Sequence, residues 1–344
     1  MHARVARPHA VDISEGIDMA EGHWTRRDVL RSVMMAGAVV AAPPVLGGCA
    51  ALGFGDTLEG VRSDGTIRVG IAGEVPYSFL DEKGTLVGGI GALHRAVWAR
   101  IGNITVRPVV VPFGELLDGL DAGNFDAVAA GMFITSQRCD QAVFSEPVYC
   151  APSSLLVAKG NPQRLRDYQS VADADASLAV LGSAVEVDYA RASGVDNSRL
   201  QTVGSQNEGL RLVASGQVDA FALTHLSLRS LLDRAGRIPD TQDLPGVEPT
   251  PGAVDQVELV DPFVPVVDGQ ELLGCGAAAF RSNDTELRDA FSDELAALRR
   301  SGDLLRLMQP WGFTETELPP PGVTAADLCR IGGVSGTDYD PVPR

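Results

Sequence analysis

Apolar and turn-forming residues alternate along this chain in a strand–helix rhythm that runs twice. Residues 66–72 (TIRVGIA) read as a first strand and 74–79 (EVPYSF) as the loop after it. Apolar spacing at Leu93, Val97 and Ile101 predicts a helix over 91–101. Residues 105–111 give a second strand, 113–117 open a helix that Gly123 ends, and 125–130 give a third strand. A helix start at Thr135 and Ser136 follows, with Arg138 one turn in. Residues 152–159 read as a strand before the break Gly160-Asn161-Pro162.

The rhythm then resumes. Strands are predicted at 177–181, 200–203 and 218–223, and helices at 208–214 and 226–235. Ser183-Ala184-Val185-Glu186 has the form of a capping box at a helix start. Residues 236–270 are rich in Pro, Gly and Asp and read as loop. Residues 272–280 form a strand that returns to the first run, followed by helices at 286–300 and 304–308. From Pro319 the chain is Pro- and Gly-rich, and beyond Cys329 no fixed structure is expected.

Strands alternating with helices predict an α/β fold with parallel-type sheets. Two such runs joined by two crossings predict two lobes, a hinge and a ligand cleft between them. The expected division is 65–158 and 271–330 for lobe 1, 159–270 for lobe 2 and 331–344 for a tail.

Residues 1–48 carry none of this rhythm and read as an export signal. Thr25-Arg26-Arg27-Asp28-Val29-Leu30 matches the twin-arginine pattern, and residues 33–46 are uncharged and mostly apolar. That run is shorter than the ~20 residues of a membrane span and suits a signal sequence. Leu46-Gly47-Gly48-Cys49 resembles a lipoprotein cleavage box, so Cys49 is the expected lipid anchor and 49–64 a tether. The expected location is extracytoplasmic, on the outer face of the cell membrane.

Five cysteines are an odd number for an exported chain, and a lipidated Cys49 leaves four. Cys139 and Cys150 flank one short helix and turn, so proximity favours pairing them and leaves Cys275 with Cys329. Only His94 and His225 lie in the mature chain and no Cys-x-x-Cys occurs, so no metal site is expected. No cofactor is expected either. The formal net charge of −17 disfavours nucleic acid and anionic membrane surfaces as partners.

Ligands of open α/β sheets sit beyond the carboxyl ends of the strands. Glu74, Tyr77, Phe113, Phe133 and Arg138 fall there in lobe 1, and Ser183 and Thr224 in lobe 2. Aromatics make up only 6% of the chain, yet three follow three successive strands. Their faces suit a flat or alkylated cation, Glu74 suits its N–H groups, and Arg138 suits a carboxylate. The ligand read from these residues is a small zwitterion.

The segment Gly131-Met132-Phe133-Ile134-Thr135-Ser136-Gln137-Arg138 resembles the G-M-T-I-T-x-x-R of family 3 extracytoplasmic solute-binding proteins, with Phe133 in place of the first Thr. The set Glu74, Tyr77, Phe113, Phe133, Arg138, Cys139 and Cys150 is similar to the ectoine/hydroxyectoine-binding branch. The resemblance implies a two-lobed periplasmic-binding-protein fold and a monomer that serves an ABC permease and ATPase. It implies a compatible solute as ligand. Amino-acid binders often place an Asp where this chain has Thr224, and Val185 stands where the branch has Thr. A betaine-like solute or a polar amino acid is the alternative ligand. A cyclohexadienyl-dehydratase-like enzyme and a ligand-sensing partner of a membrane sensor are the alternative functions, and the aromatic cage favours binding over catalysis.

Overall fold

The structure, a computed structural model, describes residues 57–234, 252–267 and 269–335. The export signal, Cys49, the first half of the tether (49–56), Ala235, residues 236–251 and 268 of the expected loop, and residues 336–344 of the tail lie outside the described residues. Among the described residues no helix is long and apolar enough to cross a membrane.

Helix α1 (Thr57–Asp64) leads into β1 (Thr66–Ile71). The short hairpin β2 (Phe79–Leu80) and β3 (Leu86–Val87) precedes α2 (Gly89–Gly102). Then come β4 (Thr105–Val110), α3 (Leu116–Asp121), β5 (Ala127–Phe133) and the one-turn α4 (Ser136–Cys139). Strand β1 lies between β4 and β5, parallel to both. Every residue of β5 is buried, as its sequence AVAAGMF suits a strand covered on both faces.

Two short strands follow, β6 (Ala142–Phe144) and β7 (Tyr149–Ala151). The chain then enters a second sheet of β8 (Ser153–Ala158), β9 (Leu178–Leu181), β10 (Leu200–Val203), β11 (Ala220–Thr224) and β12 (Val257–Leu259). Its order is β10-β9-β11-β8-β12. The helices α5 (Tyr168–Asp173), α6 (Val185–Ala192), α7 (Gln206–Ala214) and α8 (His225–Arg234) belong to this part of the chain. Strand β13 (Val266–Val267) and the long β14 (Gln270–Arg281) return to the first sheet. Strand β14 pairs with β5 and also carries β6, β7 and β13.

The crossings fall earlier than the sequence reading puts them. Residues 153–158, assigned there to lobe 1, pair with β11 and β12 in the second sheet. The chain therefore crosses at Pro152, between two strands too close in sequence to separate by pattern. The return is complete by Val266, which pairs with Glu271. The two crossing segments meet: Ser153 and Phe263 exchange backbone hydrogen bonds of 2.9 and 3.0 Å.

Helix α9 (Thr285–Ser301) buries Leu287, Phe291, Leu295 and Leu298, spaced along one face. Phe291 lies against His94 and Trp98 of α2, at ring separations of 4.7 and 5.8 Å. Complete burial there keeps His94 neutral, with its pKa depressed to about 3. Helix α10 (Asp303–Met308) closes the same face, burying Leu304 and Met308. Beyond it regular structure continues as far as residue 335, six residues past Cys329, where none is expected. Helix α11 (Ala325–Ile331) packs on α4, and β15 (Val334–Ser335) pairs with Leu272 and Leu273 of β14.

The disulfides are crossed relative to the proximity pairing. Cys150 of β7 stands directly opposite Cys275 of β14, with Cα atoms 3.9 Å apart, and the two are bonded. Cys139 at the end of α4 is bonded to Cys329 of α11. Neighbourhood in the sheet and between the two packed helices decides the pairing, and the 11-residue spacing of Cys139 and Cys150 does not.

Candidate functional site

The cleft between the two sheets collects the carboxyl ends of β1, β4, β5, β9 and β11. It holds a cavity of about 340 Å³, its open mouth included. Glu74 and Tyr77 reach it from the loop after β1, Phe113 from the turn after β4, and Phe133 from the last position of β5.

Two glycines make room for the rings. Gly131 has a φ of +65°, and a Cβ there would lie 2.9 Å from the Tyr77 ring. A Cβ on Gly274 of β14 would lie 2.1 Å from the Phe133 ring. Tyr149 of β7 completes the group: its hydroxyl donates to the Gly131 carbonyl at 2.7 Å, and its ring centre is 5.0 Å from that of Tyr77. Phe313, from the segment after α10, packs edge-on against both tyrosines.

Arg138 is the cation of the cavity. Thr135 caps α4 by accepting the Arg138 backbone N–H at 3.2 Å, which sets the side chain's origin. Its guanidinium donates to the Phe133 carbonyl at 2.7 Å and to the Ser183 carbonyl, on the other lobe, at 2.9 Å. It lies 5.5 Å from the Phe113 ring centre. These two bonds leave three of the five guanidinium N–H groups for a ligand.

Lobe 2 supplies the opposite wall. The capping box expected at 183–186 does not form. Ser183 is left-handed, with φ +59°, and Ala184 is the helix cap with no side-chain bond. Ser183 therefore offers its carbonyl to Arg138. Glu186 is freed from capping and faces the cavity, 3% exposed. Thr224 ends β11 and meets the Tyr77 hydroxyl at 2.7 Å. Ser227 of α8 donates its hydroxyl to Glu74. Gln206 brackets Val75 with two bonds, accepting its N–H at 3.0 Å and donating to its carbonyl at 2.8 Å.

Burial controls the charges. It pushes the Glu74 carboxyl up to about 8; the Ser227 hydrogen bond opposes this, and the Glu186 charge adds to it. Burial also raises Glu186 to about 7, against its own backbone N–H and the Arg138 charge. Desolvation lowers Arg138, and Glu186 is first among the groups that oppose this.

Six of the seven side chains named from the sequence line one cavity: Glu74, Tyr77, Phe113, Phe133, Arg138 and Thr224. Ser183 is beside it and takes part through its backbone. Sequence reasoning missed Tyr149, Glu186 and Ser227. Tyr149 carried a signal, an aromatic next to Pro147 and Cys150 within the segment that holds Arg138. Ser227 lies three residues after Thr224, near enough to share its end of the cleft. Among the described residues no cluster of His, Cys, Asp or Glu has the arrangement of a metal site.

The profile of the bacterial extracellular solute-binding proteins, family 3, matches residues 67–315. A probable amino-acid ABC transporter periplasmic-binding protein of Sinorhizobium fredii, y4tE, is 31% identical over 79% of this chain and 86% of its own. The glutamate/aspartate import solute-binding protein of Escherichia coli is 22% identical over 79% of this chain and 83% of its own. Among solved structures, EhuB in complex with hydroxyectoine superposes with a TM-score of 0.67. It shares 31% identity over 79% of this chain and 97% of that one. An ancestral amino-acid-binding protein, AncCDT-1, a precursor of cyclohexadienyl dehydratase, shares the fold with a TM-score of 0.60. It is 23% identical over 74% of this chain and 99% of its own.

Proposed function

The chain belongs to the bacterial extracellular solute-binding proteins, family 3, the receptors of amino-acid-type ABC transporters, and from that premise we propose that it captures ectoine or 5-hydroxyectoine for import. One observation carries the reading: Glu74 and Arg138 share a cavity with the rings of Tyr77, Phe113 and Phe133. A cyclic amidinium carboxylate matches this set. Its delocalised cation lies on ring faces, its N–H groups reach an acid, and its carboxylate takes the free guanidinium N–H groups.

The 31% identity with EhuB, whose structure holds hydroxyectoine, supports the choice. An amino acid is the second reading, favoured by the name of the y4tE relative. Thr224 weighs against it, because its hydroxyl is engaged by Tyr77 and offers no charge to an α-ammonium. The reading is of a receptor and not a catalyst, since an aromatic cage holds a resident cation and delivers no proton to a leaving group.

The same reading includes export by the twin-arginine route and a lipid anchor on Cys49. Cys49→Ser should then release the protein or leave its precursor uncleaved, and a normally processed, membrane-bound variant would remove the anchor.

Calorimetry with ectoine, 5-hydroxyectoine, glycine betaine, proline and the common amino acids tests the ligand. Ectoine or hydroxyectoine should bind in the micromolar range or tighter, which requires about −8 kcal/mol. A proteinogenic amino acid that binds tightly, with no binding of ectoine, would make the chain an amino-acid receptor.

A further inference from the structure

The cavity contains one more acid than a single cation and carboxylate require. Glu186 sits in the first turn of α6, is 3% exposed and lines the same cavity as Glu74. Ser227 donates to Glu74, whereas among the described residues Glu186 has only its own backbone N–H as a donor. The groups that act on it or feel its charge are Glu74 from the loop after β1, Arg138 from α4, Tyr149 from β7, Tyr168 from α5 and Tyr189 on its own helix. Arg138 is the one cation among them. Two buried carboxyl groups thus share a cavity with one guanidinium, which the Glu186 charge supports, and a carboxylate ligand would also draw on that guanidinium.

We propose that Glu186 is a specificity-determining residue of this cleft, which with Glu74 selects a carboxylate-bearing ligand whose cation presents N–H donors on two sides. Amidinium and guanidinium groups have that form, and a quaternary ammonium does not. The proposal rests on the reading that the cleft binds a compact zwitterion, and it adds a requirement for the ligand's nitrogen chemistry.

An N–H-bearing cation supplies a hydrogen bond and a positive charge to each carboxylate, so both acids can ionise when it binds. A betaine supplies charge but no donor and leaves the acids to retain their protons. Amidinium binding should therefore release protons near neutral pH, where burial keeps the empty site partly protonated. Betaine binding should release few or none.

The test is calorimetry near pH 7.5 in two buffers of different ionisation enthalpy, with ectoine and glycine betaine as probes. Wild-type protein, Glu186→Gln and Glu186→Asp are compared, and thermal unfolding checks that each variant folds. The wild type should prefer ectoine and release about one proton per ectoine bound. Glu186→Gln should weaken ectoine by about tenfold or more, leave glycine betaine unchanged and release fewer protons. Glu186→Asp, which keeps the charge, should restore the proton release.

A Glu186→Gln protein with wild-type ectoine affinity and proton count overturns the role of Glu186 and leaves the reading of the cleft standing. A wild type that binds glycine betaine as tightly as ectoine, with no proton release, overturns the selection by N–H donors. A wild type that binds neither solute overturns the reading of the cleft and this proposal together.

Discussion

The hydroxyl of Tyr77 lies 2.7 Å from Oγ1 of Thr224, a hydrogen bond across the cleft between residues 147 positions apart. It belongs to a set that ties the lobes together, with Ser227 on Glu74, Gln206 on Val75 and Arg138 on the Ser183 carbonyl. Tyr77→Phe keeps the ring and removes the hydroxyl, with this bond and its hydrogen-bonding interactions with Tyr149 and Ser227. We expect the closed state to lose about 0.5–1.5 kcal/mol and the ligand-free radius of gyration to grow. Small-angle scattering reads the change, and an identical radius in both proteins would mean that this bond does not hold the lobes.

Arg138 and Phe133 should differ in what their loss costs. Arg138→Ala leaves the ligand carboxylate buried without a partner and breaks the bond to Ser183, for a loss of several kcal/mol in affinity. Phe133→Ala removes packing and one ring face, for about 2–4 kcal/mol. Titration calorimetry on both variants checks the order. Gly274→Ala is the matching intrusion: its new Cβ would fall 2.1 Å from the Phe133 ring. It should weaken binding without touching any ligand atom.

Much of lobe 1 was legible in the sequence. Strands β1 and β4 and helix α2 have patterns strong enough to define themselves, and the loops after β1 and β4 carry three of the site residues. Strands β6, β7, β12 and β13 were not legible, because runs of two or three residues form strands only where a long partner such as β14 is waiting. Glu186 was misread for a local reason. A Ser three residues before a Glu suits a capping box, but the left-handed backbone at Ser183 turns that chemistry elsewhere.

The two disulfides should separate under mild reduction. Cys150 and Cys275 are fully buried, while Cys139 and Cys329 are partly exposed. Reductant should open Cys139–Cys329 first, because exchange requires access to the sulfur. Alkylation followed by peptide mapping should label Cys139 and Cys329 while the other pair stays intact. Simultaneous labelling of all four would contradict the burial.

Ligand-free protein should lose stability as the solution becomes alkaline. Folded Glu186 and Glu74 titrate at about 7 and about 8, whereas unfolded carboxyls near 4.5 have lost their protons long before. From about pH 7 to 9 only the folded state gives up these protons, so stability falls by about 2 kcal/mol over that range. His94 acts in the opposite sense, but only as the pH falls below its ordinary 6.5, outside this window. Urea unfolding at three pH values measures the slope. Glu186→Gln should flatten part of it, and a flat wild-type profile would show that burial does not perturb these acids.

Helix α4 has only four residues, and helices that short do not persist in water without tertiary support. Its last residue is bonded to Cys329 of α11, a position beyond the stretch of 67–315 that the family profile matches. Arg138, one residue before the crosslink, is therefore held from outside the common core. The C-terminal segment acts as a brace: α11, packed on α4 and crosslinked to its last residue, fixes the origin of the guanidinium. Part of the ordering entropy of binding is removed before any solute arrives. A truncation that spared every cavity-lining residue but stopped before α11 would thus yield a receptor with an intact list of contacts and a slack grip.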